Sequence, residues 1–283
     1  MADTAKASER ILLVGCGDLG ARIGVGLLAA GHQLTALTRR RQPPVGVVAL
    51  HGDVGRAETL PTLPASIDRL IYVLTPAART AEAYQLAYVT GLRHVLAALA
   101  PCRPRVTFIS STAVYADAAG GGVDETTPAR PEAFNGQVML AAEQLAAAAH
   151  ADSLCLRLGG IYGPGHDHLL QAALAPSSRL SASSIISNRI HIDDAAAAVC
   201  HLIAGGHRGV FNIVDSEPAS SAQVLAWLAA ELTGSVAEPV TPPQQGRRIS
   251  NQRLLESGFD LRYRSWREGY RALLEASQRP RPC

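Results

Sequence analysis

The fold is decided by the stretch Ile11-Leu12-Leu13-Val14-Gly15-Cys16-Gly17-Asp18-Leu19-Gly20, in which an apolar run breaks into glycines and then resumes at helical spacing. This pattern predicts a strand, a phosphate-binding loop and a helix. Gly15 would permit the tight turn, Gly17 would let the backbone approach a pyrophosphate, and Gly20 would let the helix lie against the strand. The N–H groups at the start of that helix would face the phosphates. A glycine-rich turn with a purely structural role is the alternative.

The composition of the chain excludes several classes of protein. The 283 residues carry a formal net charge of +2, the arginines are scattered and the aromatic residues are few, so no nucleic-acid surface is indicated. No apolar run is long enough to span a bilayer, and residues 1–10 lack an apolar signal core. The five cysteines form no CxxC pair, which suits a reducing compartment. We therefore expect a cytoplasmic protein, not bound to a membrane, that acts on a small molecule.

Predicted strands alternate with predicted helices after the glycine loop. Apolar runs indicate strands over residues 33–39, 45–50, 69–75 and 105–109, with a long helix over residues 79–99 before the last of them. This alternation predicts an α/β protein with a Rossmann-type doubly wound parallel sheet and a ligand at the carboxyl ends of its strands. We expect a nucleotide-binding domain over residues 9–175. Residues 176–283 would form a small α/β substrate lobe, interleaved with that domain into a single compact unit.

The end of the second strand bears on the choice of cofactor. In dinucleotide folds an acidic residue here takes the adenosine 2′-hydroxyl, whereas an arginine accommodates a 2′-phosphate. The sequence has Thr38, Arg39 and Arg40 at this point and no acidic residue. NADP is therefore favoured over NAD, because arginine can meet a phosphate with two hydrogen bonds. A solvated arginine turn, with NAD as the cofactor, remains the alternative.

Further predicted contacts lie after the later strands. Asp53 follows the third strand, where it could accept from the adenine amino group or cap the next short helix. The predicted cofactor-binding residues are Gly15, Gly17, Asp18, Leu19, Gly20, Thr38, Arg39, Arg40, Asp53, Val54, Leu74, Thr75, Ser110 and Tyr162. No metal site is predicted, because the donors in residues 166–168 are consecutive and have no third ligand at helical spacing. Asp193 and Asp194 precede an alanine-rich stretch, so an aspartate cap for that helix is expected.

A resemblance to a known family begins at the end of the fifth strand. The segment Ser110-Ser111-Thr112-Ala113-Val114-Tyr115 resembles the S-S-x-x-V-Y segment of extended short-chain dehydrogenases/reductases, the epimerase and dehydratase group. Residues 156–165 and 189–194 are similar to further family motifs, and residues 247–251 and 266–269 resemble the tail of an atypical epimerase-like branch. The resemblance implies a nicotinamide cofactor and a substrate held by the small lobe. It also implies a homodimer formed through the helices near residues 78–99 and 139–149.

The chain departs from this family at the catalytic helix. Family members carry a Tyr-x-x-x-Lys pair there, with a glutamate one turn beyond the lysine. Glu143 fits that glutamate, which puts Met139 at the lysine position and Asn135 at the tyrosine position. Lys6 is the only lysine in the chain, so no other register restores the pair. The usual proton donor is therefore predicted to be missing.

Three residues remain as catalytic candidates. Ser111 matches the family residue that hydrogen-bonds the reacting oxygen, although it could equally just end the strand. Asn135 can hydrogen-bond a carbonyl but cannot act as an acid or base near neutral pH. Tyr115 carries a phenol, but without a nearby cation its pKa should stay high, which favours a packing role. Tyr162 is expected to shape the nicotinamide edge of the pocket.

Two hypotheses of function follow. The first is an NADP(H)-dependent oxidoreductase that reduces a carbonyl or imine, with Ser111 or Asn135 orienting the acceptor and water supplying the proton. The alternative is a non-catalytic sensor or regulatory protein that responds to the NADP redox state. Sugar-nucleotide epimerisation or dehydration is disfavoured, because those reactions need a competent base. No motif names the substrate, since fold alone does not specify it.

Overall fold

The computed structural model describes residues 8–174, 183–234 and 245–278. Lys6, most of the polar amino terminus and the domain boundary predicted at 175/176 lie outside these residues. The described strands are β1 (Arg10–Val14), β2 (Gln33–Thr38), β3 (Val48–His51), β4 (Arg69–Tyr72), β5 (Arg105–Ser111), β6 (Gly122–Val123), β7 (Leu154–Leu158), β8 (Gly160–Tyr162), β9 (Ile186–Ser187), β10 (Arg189–His191), β11 (Gly209–Ile213), β12 (Ala219–Ser220) and β13 (Arg248–Ile249). The described helices are α1 (Asp18–Ala29), α2 (Ala81–Tyr84), α3 (Gly91–Ala98), α4 (Phe134–Ala149), α5 (His168–Leu174), α6 (Ile192–Gly205), α7 (Ser221–Thr233), α8 (Gln252–Glu256) and α9 (Trp266–Gln278). None of them combines the length and the apolar character that a bilayer-spanning segment needs.

Seven strands form one sheet in the order β11-β7-β5-β4-β1-β2-β3. Parallel ladders join β1 to both β2 and β4, β2 to β3, and β4 to β5. The strand order runs outward in opposite directions from the β1/β4 pair, as in doubly wound nucleotide-binding sheets. The predicted Rossmann-type α/β fold is confirmed.

The central strand β1 shows why the apolar run folds as it does. Ile11, Leu12, Leu13 and Val14 are each at most 1% exposed. Successive residues point to opposite faces of a sheet, so burial of all four requires that both faces be covered, as they are in parallel sheets. A strand with one face in solvent would instead alternate apolar and polar residues. The ladder from β1 to β4 ends at the pair Val14 and Tyr72. β4 therefore ends at Tyr72, earlier than the predicted strand over 69–75. Residues 73–75 belong to the loop that follows it.

The long helix predicted over residues 79–99 contains a π-helical segment. Gln85–Thr90 adopts this wider turn between α2 and α3. The buried hydroxyl of Tyr72 donates to the carbonyl oxygen of Ala87, which lies within the segment, at 2.5 Å. A Cβ on Gly91 would lie 2.6 Å from the same hydroxyl. The wider turn thus accommodates a polar atom from the strand below, a feature frequent at functional sites.

The chain divides into two units. The first comprises Met1–Ala116, Pro128–Arg157 and Ala196–Phe211, and the second comprises Asp117–Thr127, Leu158–Ala195 and Asn212–Cys283. In the second unit, two-residue and three-residue ladders pair β8 with β10, β9 with β12, and β6 with β13. An apolar cluster that includes Tyr162, Trp266 and Tyr270 forms its core beside α9.

A cluster of charges ties three strands together at their amino ends. Glu9, just before β1, accepts from Arg69 Nε at 2.7 Å and from Arg105 Nη2 at 2.6 Å. Arg69 is 2% exposed and begins β4, while Arg105 begins β5. Partial burial acts to raise the pKa of Glu9, but the hydrogen bond from Arg69 and the charges of both arginines outweigh it, so this pKa lies below its ordinary value.

Replacement of Glu9 by glutamine should destabilise the first unit, because it leaves the buried Arg69 guanidinium without its carboxylate. We expect the free energy of unfolding at pH 7, measured by urea titration, to fall by about 2 kcal/mol. The lowered pKa means that the carboxylate stabilises fully above its ordinary pKa of 4.5. This stabilisation is lost as the pH falls through the folded-state value, so the variant and the wild type should converge in acid.

The matched control is Asp68→Asn. Asp68 pairs with Arg10, but the two side chains are 35% and 49% exposed, and such a pair stabilises by less than about 1 kcal/mol. Equal losses for the two variants would show that the Glu9 contacts contribute no more than a surface ion pair.

Candidate functional site

The glycine loop crosses the carboxyl ends of β1 and β4. Gly15 has φ of +96°, and a Cβ there would lie 2.2 Å from the carbonyl oxygen of Val73. A Cβ on Gly20 would lie 2.3 Å from the carbonyl oxygen of Gly15. Both positions therefore exclude any side chain, one at the turn and the other where the helix contacts the strand.

Gly17 differs from these two glycines. A Cβ there would meet no described atom within 4 Å, so packing within the protein does not require a glycine. Gly17 is also the N-cap of α1, and no side chain caps this helix. Open space beside an uncapped helix start fits the pyrophosphate of a dinucleotide, which binds to backbone N–H groups and to the positive end of the helix dipole.

The turn after β2 brings an unpredicted arginine to the glycine loop. The Thr38 hydroxyl donates to the carbonyl oxygen of Arg41 at 2.8 Å and so closes a tight turn. Arg41 Nη1 then lies 3.4 Å from Asp18 Oδ1, in the first turn of α1. Arg39 and Arg40, the predicted phosphate contacts, are exposed, as Arg41 is, and their contact with a phosphate stays a prediction. Thr38 was the signal in the sequence for this turn, since threonine hydroxyls can close tight turns by bonding to nearby backbone.

Asp53 forms a local turn of its own. Its carboxylate accepts from the Gly55 N–H at 2.9 Å, and its own N–H donates to the Thr59 hydroxyl at 3.0 Å. The next short helix, Ala57–Thr59, has Arg56 as its N-cap. The alternative that Asp53 caps this helix is therefore wrong, because the carboxylate is bound within the turn that precedes it. Contact between Asp53 and an adenine stays a prediction.

The loop after β4 is held by a tyrosine from the π-helical segment. Tyr88, 8% exposed, donates from its hydroxyl to the carbonyl oxygen of Leu74 at 3.0 Å. The Leu74 side chain in turn lies 2.8 Å from where a Cβ of Gly15 would be. Tyr88 thus fixes a predicted cofactor residue against the glycine turn. Sequence analysis missed this role because helical periodicity places Tyr88 on a simple apolar face.

A buried charge network lies behind the end of β5. Glu143 on α4 accepts from the Ser110 hydroxyl at 2.5 Å and from Arg157 Nε and Nη2 at 3.0 and 2.7 Å. Ser110, Glu143 and Arg157 are between 3% and 7% exposed. The Ser110 hydroxyl, predicted to contact cofactor, is thus engaged inside the protein. Burial acts to lower the pKa of Arg157, but the hydrogen bonds and charge of Glu143 raise it overall, so the guanidinium stays charged in the interior.

The environment of Tyr115 differs from the prediction in one respect. The ring is 2% exposed, and the guanidinium carbon of Arg157 lies 4.8 Å from its centre. The expectation that no cation lies near this phenol is therefore wrong. Because Glu143 already takes this guanidinium with two hydrogen bonds and the ring is enclosed, Tyr115 is in the environment of a packing residue, with no exposed face for a substrate.

The other two catalytic candidates lie on segments that pack against each other. Ser111 is partly exposed, and its hydroxyl accepts from the Ala113 N–H at 3.2 Å, which caps the short turn Thr112–Val114. A Cβ on Gly136 would lie 2.2 Å from the carbonyl oxygen of Ala113, so the start of α4 lies directly on this turn. Asn135, the preceding residue, is also partly exposed, whereas Met139 is 3% exposed.

In the second unit, the predicted site residue Tyr162 and the predicted helix cap Asp194 both have structural partners. Tyr162 is 1% exposed and stacks on Tyr270 with ring centres 4.8 Å apart, so its ring is enclosed by protein rather than open to a cofactor. Asp194 lies in the first turn of α6 and accepts from the backbone N–H groups of Arg262 and Tyr263 at 2.9 and 3.0 Å. The prediction that it caps its own helix is wrong, because its carboxylate binds a distant segment of backbone.

Replacement of Glu143 by glutamine should strongly destabilise the protein, since it leaves the Arg157 charge buried without a partner. We expect the free energy of unfolding, measured by chemical denaturation, to fall by about 3 kcal/mol or more. Ser110→Ala should cost about 1 kcal/mol, the usual contribution of one hydrogen bond. As a matched control, the exposed Glu132→Gln should change stability by less than about 0.5 kcal/mol. A Glu143→Gln variant as stable as this control would contradict the assignment of Glu143 as the centre of the network.

Comparisons with known proteins place this geometry in a wider context. The chain is 29% identical to the Escherichia coli K12 protein YeeZ over 281 residues, covering 90% of this chain and 96% of that protein. It is 26% identical over 259 residues to a Streptomyces protein named 3-diazoavenalumate denitrifying reductase, covering 79% of this chain and 81% of the relative. A solved structure from Methylobacillus flagellatus carries the family name NAD-dependent epimerase/dehydratase and is 38% identical to this chain. Its TM-score is 0.80, and the match covers 96% of this chain and all of that one.

A match to a family model over most of the chain shows the family. Residues 11–213 match the NAD dependent epimerase/dehydratase family, and this match spans the glycine loop, the seven-stranded sheet and the Ser110–Tyr115 segment. The solved relatives of the same fold are extended short-chain dehydrogenases/reductases. This chain belongs to the NAD-dependent epimerase/dehydratase family.

Proposed function

We propose that this chain binds NADP(H) at the glycine loop and uses it to reduce a carbonyl or imine. The observation that carries the proposal is the contrast between the crowded Gly15 and Gly20 and the open position of Gly17 at the uncapped start of α1. A ligand that approaches the backbone closely accounts for a glycine at this open position, as does its place at the helix N-cap. A structural relative at 23% identity, MoeE5, was solved with UDP-glucose and NAD, which supports a nicotinamide cofactor for this fold.

The arginines after β2 support the phosphorylated form of the cofactor. Arg39 and Arg40 are exposed, and Arg41 lies at the first turn of α1 in contact with Asp18. That ion pair is 68% and 49% exposed, so it is weak and easily exchanged for a stronger partner. A 2′-phosphate would meet guanidinium groups here, without a carboxylate at the end of β2 to repel it.

Ser111 and Asn135 would hold the acceptor. A bound nicotinamide would supply the hydride to the carbon of the C=O or C=N bond. The Ser111 hydroxyl and the Asn135 amide can each donate a hydrogen bond to the acceptor oxygen or nitrogen, which stabilises the negative charge that develops there. Neither group is an acid near neutral pH, so water would deliver the proton that completes the reduction.

Two observations favour reduction over epimerisation or dehydration. Those reactions begin with transfer of a hydride from the substrate to the oxidised nicotinamide, which needs a base to take the hydroxyl proton. By the family alignment of the sequence analysis, Asn135 and the buried Met139 stand at the positions of that proton-transfer pair, and Tyr115 is enclosed. In addition, a relative with 26% identity is named as a reductase. A reduction needs a hydride from the nicotinamide, a positioned acceptor and a proton from solvent, and Ser111 and Asn135 would position the acceptor.

Calorimetric titration with NADPH and NADH tests the cofactor. We expect NADPH to bind at least about tenfold more tightly than NADH. Arg41→Ala should remove most of this preference by weakening NADPH alone. Arg93→Ala, an exposed arginine on α3, is the matched control and should change neither affinity. Equal binding of both cofactors would refute the 2′-phosphate site, and binding of neither would refute the proposed function.

Substitution of Ser111 tests the catalytic role. With a substrate identified by screening carbonyl and imine compounds against NADPH, Ser111→Ala should lower kcat about 100-fold, as removal of one donor to a developing oxyanion does elsewhere. Asn135→Ala should lower kcat in the same direction, whereas Tyr115→Phe should leave it nearly unchanged. Ser277→Ala, on the exposed side of α9, controls for loss of a serine hydroxyl. Unchanged turnover in Ser111→Ala would remove Ser111 from the mechanism.

A non-catalytic sensor is the second candidate, favoured by the loss of both catalytic family residues at positions 135 and 139. The same titrations and screen separate the two. A sensor would bind NADPH without turning over any acceptor, and its interaction with a protein partner would differ between NADP+ and NADPH. An interaction indifferent to the redox state would count against it.

A further inference from the structure

A buried arginine in the second unit lacks a negative partner. Arg189, on β10, is 6% exposed. Its guanidinium donates to the carbonyl oxygens of Ala219 and Ser187 at 2.6 and 3.4 Å. No carboxylate oxygen among residues 8–174, 183–234 and 245–278 lies within 4.0 Å of it. Buried charges in proteins are almost always paired, because removal from water is costly.

The side chains around Arg189 also have polar atoms that lack partners. Tyr162 and Tyr270 are 1% and 0% exposed, and in the described part of the chain neither hydroxyl makes a hydrogen bond. Asp215, 2% exposed, has one carboxyl oxygen, Oδ2, in the same condition. The indole N–H of Trp266, in the same buried cluster, is a fourth such atom. Most native proteins leave only a few such atoms in total.

These groups lie close to one another, but their polar atoms form no hydrogen bonds with one another. The two tyrosine rings stack with centres 4.8 Å apart. Burial raises the pKa of Tyr270 to about 12 even though the nearby Arg189 charge opposes the rise. Tyr270, Asp215 and Tyr162 all act electrostatically on Arg189, yet none hydrogen-bonds to it. Polar groups that act on one another electrostatically but form no direct hydrogen bond can be joined by a small molecule or ion that bridges them.

The charge of the cluster indicates what that molecule is. Burial raises the pKa of Asp215 well above its usual range despite the neighbouring Arg189 charge, which favours the neutral carboxyl, a form that can donate a hydrogen bond. The Arg189 guanidinium carries a positive charge, and the two phenols offer further donors. A set of donors around one uncompensated positive charge suits an acceptor that carries a negative charge.

We propose that Arg189, Tyr162, Tyr270 and Asp215 enclose a binding site for one small monovalent anion. The four side chains are at most 6% exposed, so the proposal is limited to a small anion such as a halide ion or a single carboxylate group. Its function is to neutralise Arg189 and satisfy the buried donors, which stabilises the second unit. This site lies outside the glycine loop and does not depend on the binding of NADP(H).

Bromide is a direct probe of this site, since it scatters X-rays anomalously. In crystals of the full chain grown with sodium bromide, we expect an anomalous peak within hydrogen-bonding distance of the Arg189 guanidinium and of the Tyr270 hydroxyl. A water molecule or no density at that position, in crystals that show bromide elsewhere, would overturn the proposal.

A second experiment in solution uses the thermal midpoint of unfolding as a function of sodium bromide at constant ionic strength. We expect the wild-type midpoint to rise with saturation, and Tyr270→Phe to require about tenfold more bromide or more, because one donor to the anion is gone. The matched control is Tyr84→Phe, in the first unit, which should respond as the wild type does. If Tyr270→Phe and the wild type show the same bromide dependence, or if neither responds, the anion site is refuted.

Discussion

The contact between Gly15 and the carbonyl oxygen of Val73 is the constraint on which the nucleotide-binding unit depends. A Cβ at position 15 would lie 2.2 Å from that oxygen, and the backbone there has a positive φ, so only glycine fits. The approach lets β1 and β4 end side by side at the point where the strand order reverses. Gly20 repeats the constraint against Gly15 itself. Since a close-packed sheet cannot open to relieve either contact, the loop is held rigid and Gly17 is left facing open space.

A second constraint separates structural from chemical roles on α4. Glu143 is bound to Ser110 and to Arg157 in the interior, so its loss would strand a buried charge. Asn135 is only partly buried and is uncharged. Met139 is 3% exposed and packs as an apolar side chain. Substitution at positions 135 and 139 would therefore leave no buried charge without a partner, whereas substitution of Glu143 would.

In the second unit, polar side chains replace missing strand ladders. Its sheets are only two or three residues long, which leaves backbone groups to be satisfied in other ways. Asn188 donates to the Arg247 carbonyl and accepts from the Ile249 N–H, as a strand neighbour would. Asp194 accepts two backbone N–H groups from 262 and 263. Asp194, which the sequence predicted as a helix cap, thus joins distant backbone segments of this unit, as Asn188 does.

The sequence alone determined the Rossmann-type fold and the glycine loop, because both follow from local spacing: apolar runs and fixed glycine intervals. Only the tertiary structure decided which side chains meet across long separations. It placed Arg157 over Tyr115, the Tyr72 hydroxyl within a π-helical turn, and Arg41 against α1. Such contacts join strands and helices far apart in the chain, and the periodicity of one segment carries no information about the polar atoms of another.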